Sequence, residues 1–134
     1  MFPDPDEGVV IGDGRCGVRL KSAGDPEEWG WPTIVDVRAG PFVGSVLESV
    51  ENYPSFRAQL AKLYEQFAGT AHLGGDHGFT LDVEAGELGA IAVSVHVEAE
   101  HWRPIVLNFQ FGIDQSYLPS IIKRLGVTFA KAQP

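Results

Sequence analysis

Phe79-Thr80-Leu81-Asp82-Val83-Glu84-Ala85 alternates apolar and polar side chains, and so does Ala90-Ile91-Ala92-Val93-Ser94-Val95-His96-Val97-Glu98-Ala99. A period of two is the signature of a half-buried β-strand. Phe79, Leu81, Val83 and Ala85 face one way, and Thr80, Asp82 and Glu84 the other. Ile91, Val93, Val95, Val97 and Ala99 repeat the apolar row, with Ser94, His96 and Glu98 opposite. Ile105 to Ile113 adds a third strand, with Ile105, Leu107, Phe109, Phe111 and Ile113 inward and Val106, Asn108, Gln110 and Gly112 outward. These strands predict a sheet with one apolar face and one acidic, solvated face.

The same region is unusual in charge. From Leu63 to Trp102, forty consecutive residues, there is no Lys or Arg, but there are seven acids: Glu65, Asp76, Asp82, Glu84, Glu87, Glu98 and Glu100. Such a surface repels phosphate and attracts basic partners.

Upstream, Val9 to Ile11 and Gly17 to Lys21 read as short strands around the turn Gly12-Asp13-Gly14. Ser22 to Pro32 reads as a loop whose Trp29 and Trp31 either plug an end of the core or enter an interface. Thr33 to Arg38 and Phe42 to Val50 form a hairpin across Gly40-Pro41. The period then changes. Phe56, Leu60, Leu63 or Tyr64, and Phe67 recur at helical spacing. Pro54 suits the first turn, Asn52 or Ser55 the cap, and Gly69 the stop. Ala71 to Leu73 precedes the three strands above, and short connections make neighbours antiparallel. A last helix carries Leu118, Ile121, Ile122 and Leu125 on one stripe, with Pro119 in its first turn. Asp114 or Ser116 caps it, and Tyr117 is expected to be buried with its hydroxyl bonded nearby.

The order predicts an α+β fold: a single domain over residues 1–134, with an antiparallel sheet of about 6–8 strands and two helices packed on one face. Residues 1–8 are expected to be flexible. A chain of 134 residues suits one core, and its 44% hydrophobic and 21% charged content is ordinary for a globular protein. No apolar run approaches the roughly 18–20 residues of a membrane span. Met1 to Asp13 lacks the basic and apolar regions of a signal peptide, so a cytoplasmic protein is expected. The single cysteine, Cys16, agrees, and reads as a semi-buried residue at a strand start.

The formal charge of −8 and ten scattered Lys and Arg residues give no basic track, so nucleic acid is not an expected ligand. His72, Asp76 and His77 cluster around Gly74-Gly75, but their spacing matches no metal motif, and a polar turn explains them. Gly74 to Gly78 is no phosphate loop, because neither Lys-Ser/Thr nor a helix follows. Asp82, Glu84 and Glu98 share a face, yet on an open sheet they stay solvated, which favours a contact surface over an acid–base pair. No nucleophile elbow occurs. The reading is therefore non-enzymatic, with no cofactor and no metal.

Several pieces occur together in order: Phe56-x-x-x-Leu60-x-x-Leu63-Tyr64 leading to Gly69-Thr70-Ala71-His72-Leu73, the strand Phe79 to Glu84, Gly89 to Val95, and Leu107-Asn108-Phe109-Gln110-Phe111 ending in Asp114-Gln115-Ser116-Tyr117-Leu118-Pro119. From about Thr33 to Leu125 the chain resembles a family of small bacterial proteins that includes WapI-type immunity proteins, partners of secreted contact-dependent toxins. The resemblance implies a binding protein that neutralises a cognate, basic toxin by occluding its active site or an adjacent surface. Asp82, Glu84, His96, Glu98, Asn108 and Gln110, which share outward parity on three consecutive strands, are the expected contact residues. The alternatives are a homo-oligomeric accessory protein, such as a homodimer joined through the tryptophans or an open sheet edge, and a small-molecule binder or enzyme with a concave site.

Overall fold

The computed structural model describes residues 2, 7–100 and 105–129. Most of the expected flexible lead-in, together with His101 and Trp102, lies outside these residues. Eight strands and two helices form: β1 (Val9–Gly12), β2 (Cys16–Ser22), β3 (Trp31–Ala39), β4 (Phe42–Val50), α1 (Tyr53–Gln66), β5 (Thr70–Gly74), β6 (Thr80–Ala85), β7 (Ala90–Ala99), β8 (Ile105–Asp114) and α2 (Leu118–Thr128). The expected α+β antiparallel architecture holds, with the strand count at the top of the range. The strands divide into two sheets, β1-β2-β3-β4 and β5-β6-β7-β8, each a meander of sequence neighbours. The division falls where α1 interrupts the chain. One isolated bridge, Val50 to Gly75, joins the two sheets at a corner.

Inward rows from both sheets meet in one core. Val9 pairs with Leu20 and Leu20 with Val35; Leu81 pairs with Val95 and Val93 with Phe111. All but Phe111, which is 8% exposed, are nearly inaccessible. Each such side chain contributes about 1.5–3 kcal/mol by leaving water. The helices close the core: α1 contributes Tyr53, Phe56, Leu60 and Leu63, and α2 contributes Leu118, Ile121 and Leu125. Tyr53 stacks on Phe129, donates or accepts a 2.9 Å hydrogen bond with Thr33 Oγ1, and meets Trp31 edge-on. Burial pushes the Tyr53 phenol well above its ordinary pKa, against the opposing hydrogen bond. Trp31 thus plugs the core, whereas Trp29 is 62% exposed.

Some expectations need correction. Ile105 is inward by parity but 60% exposed, because β8 runs past the edge of the core. Leu63, not Tyr64, takes the buried position on α1, and Phe67 is 59% exposed, because α1 ends at Gln66 with Phe67 left-handed at φ 53°, before Gly69. Tyr117 is 49% exposed, because a single 3-10 turn (Gln115–Tyr117) precedes α2 and rotates it outward. Asp114 is the residue that caps this turn, its Oδ1 accepting the Ser116 N–H at 2.8 Å, which holds its carboxyl below the usual range. Asn52 does occupy the N-cap position of α1, but its side chain caps a strand instead.

Candidate functional site

That strand is β5, an edge of the second sheet. Asn52 Nδ2 donates to His72 O at 2.7 Å and its Oδ1 accepts the Gly74 N–H at 3.2 Å. Gln59 Oε1 accepts the His72 N–H at 2.8 Å. Polar side chains from the N-cap and the middle of α1 therefore occupy backbone groups that would otherwise stay open to another strand.

The outer face of this sheet carries the expected site. Antiparallel register sets Asp82 opposite Ser94 and Ser94 opposite Gln110, and Thr80 opposite His96 and His96 opposite Asn108. Asp82, His96, Asn108 and Gln110 accordingly line one shallow hollow of about 350 Å³ with Thr80 and Ser94. The other two expected residues flank it. Glu84 lies two residues beyond Asp82 on β6, between Thr70 and Ala92. Glu98 lies beyond His96 at the other end, opposite Val106. All six share the solvent-facing parity, with Glu84 exposed and Glu98 half-buried.

Neighbouring groups hold these side chains. His72 Nδ1 sits 2.7 Å from Asp82 Oδ1, and His96 Nδ1 bonds Asn108 Oδ1. His72 belongs to the same surface by position. Its signal was its outward parity between Ala71 and Leu73, hidden because the strand is only five residues long. His77 points elsewhere, to Glu48, so the sequence cluster of His72, Asp76 and His77 does not converge. Among the described residues no group of three or more His, Cys, Asp or Glu side chains is placed to hold a metal.

Glu48 is a residue that sequence reasoning missed. Its side chain is fully buried under the turn between β5 and β6. One carboxylate oxygen accepts the His77 N–H at 2.9 Å and the other the Phe79 N–H at 3.2 Å, while His77 Nδ1 lies 3.6 Å away. A Cβ at Gly75 would stand 2.5 Å from Glu48 Oε2, and one at Gly78 (φ +96°) 2.9 Å from Glu98 Cβ. The turn is thus wedged between Glu48 of the first sheet and Glu98 of the acidic face. A charged residue among inward-facing valines, opposite Thr33, was the available signal.

A family model for the immunity protein WapI-like family matches residues 33–132. The chain belongs to this family. Its matched span runs from Thr33 in β3 through α2, taking in the whole second sheet and Glu48. No curated protein and no solved structure matches the chain. Membership in an immunity protein family implies a cognate toxin as partner. No helix among the described residues is long and apolar enough to cross a membrane.

Proposed function

We propose that this chain is a cytoplasmic, non-catalytic immunity protein that neutralises its toxin stoichiometrically, using the outer face of the second sheet as the contact surface. The observation that carries the reading is the placement of Asp82, Glu84, His96, Glu98, Asn108 and Gln110 on one face of a sheet whose strands hold no Lys or Arg. Family membership supplies the kind of partner. A toxin that acts on nucleic acid presents a basic site, and a carboxylate-rich face complements it, steers encounter and competes with the phosphate substrate. The hydrogen bonds of His72 to Asp82 and of His96 to Asn108 order this face before binding, which lowers the entropy cost of association.

Co-expression with a candidate cognate toxin domain, sought among the neighbouring genes, tests the reading. Rescue of growth, with a one-to-one complex on purification, is expected. Failure of both rescue and binding with that domain would overturn the proposal.

A further inference from the structure

Three of the four sheet edges, β5, β1 and β4, differ in what occupies them. β5 is capped by Asn52 and Gln59. At the start of β1, Arg124 of α2 donates to Gly8 O at 2.9 and 3.1 Å. The far end of β4 is occupied by the turn after β5, through the Val50–Gly75 bridge and an Asp76 N–H donated to Ser49 O. The hydrogen-bonded order of the first sheet ends at β4, and Phe42, Val43 and Leu47 are 66%, 74% and 67% exposed there.

We propose that Val43–Leu47 of β4 is a self-association edge, at which two copies of this chain pair antiparallel about a twofold axis at Ser45. Two features select a second copy as the occupant. The first is charge. A molecule of formal charge −8 repels its own copy over most of its surface, but Phe42 to Leu47 contains no ionisable side chain. The second is self-complementarity, which a twofold interface requires. Val43 and Leu47 lie two residues either side of Ser45 and share its outward parity, since they pair with Arg38, Ile34 and Asp36 of β3. A twofold axis at Ser45 therefore sets Val43 of each copy opposite Leu47 of the other, burying two exposed apolar pairs and extending the sheet to eight strands. Asp82, Glu84 and Glu98 lie on strands of the other sheet, whose Ile105 and Val106 share an apolar groove with Val43 and Ser45. The inference goes beyond the immunity reading and does not depend on it.

The test is light scattering of the whole chain across a wide range of loading concentrations, with charge-swap variants. The wild-type mass should approach that of two chains. Val43→Lys with Leu47→Lys sets like charges opposite each other and should give a monomer with an unchanged circular dichroism spectrum. Val43→Lys with Leu47→Glu carries as many charges but sets opposite signs across the axis, and should stay dimeric. In a Cys16→Ser background, Ser45→Cys should form an intermolecular disulfide on mild oxidation, because directly opposed strand residues lie within bridging distance, and Val43→Cys should not. A wild type that stays monomeric, a double-lysine variant that stays dimeric, or cross-linking at position 43 rather than 45 would overturn the proposal.

Discussion

The two sheets share a topology and differ on their outer faces. The strands of the first carry three basic and two acidic side chains: Arg19, Lys21 and Arg38 against Asp36 and Glu48. On its outer face Asp36 is held between two of these cations. Arg19 donates to Asp36 Oδ2 from Nε at 3.1 Å and Nη2 at 2.9 Å, Lys21 Nζ lies 3.4 Å away, Ser45 Oγ donates to Oδ1 at 2.8 Å, and the Arg19 guanidinium covers the Phe2 ring. The strands of the second sheet carry Asp82, Glu84, Glu98 and Asp114 and no Lys or Arg. The inner rows of both sheets hold the fold. The outer face of one gathers cations around Asp36, while the strands of the other carry acids and no Lys or Arg.

The largest expected effect comes from breaking the join between the sheets. Glu48→Ala leaves the part-buried N–H of His77 and the buried N–H of Phe79 without their acceptor and should cost about 2–4 kcal/mol, measured by urea unfolding. Gly75→Ala forces a Cβ against the same carboxylate and should destabilise in the same direction. If Glu48→Ala leaves stability unchanged, the carboxylate does not hold the turn.

A smaller effect follows from uncapping β5. Asn52→Ala should cost about 1–2 kcal/mol, and Asn52→Ala with Gln59→Ala should also raise aggregation, because a strand edge is freed. Equal aggregation of variant and wild type would mean that the edge is protected otherwise.

The smallest effect sharpens the contrast between the outer faces. Burial raises the Asp36 pKa, but the hydrogen bonds from Ser45 and Arg19 and the charges of Lys21 and Arg19 outweigh it, so the folded value lies below the ordinary 3.8. A depressed carboxyl pKa stabilises the fold above the unfolded value, and that contribution is lost as pH falls through the folded value. Asp36→Asn should therefore be less stable than wild type near neutrality, with the gap closing below about pH 3.8. A gap that persists undiminished in acid would assign the loss to shape rather than charge.

Much of this was legible in the sequence, because period and parity are local. Each of the eight strands and both helices announced itself by spacing. The six residues of the acidic face were found by counting alternate positions from Leu81, Val93 and Phe109. The division into two sheets was not legible, because a meander of eight strands and two meanders of four have the same periodicity; the two sheets part where α1 falls between β4 and β5. Glu48 was hidden for a related reason. Its partners are backbone groups about 30 residues away, and no spacing rule reaches that far. Tyr117 and Ile105 went astray at element ends, where one irregular turn or an overhanging strand overrides parity.

The central claim is that the second sheet's outer face meets the toxin. The most direct measurement is the association rate of the toxin domain that the chain neutralises in co-expression, with wild type and with Asp82→Lys, Glu84→Lys, Glu98→Lys combined, at low and high salt. The account predicts association slowed by about tenfold or more at low salt, converging at high salt, with folding retained. Equal rates at low salt, in a folded variant, would contradict it.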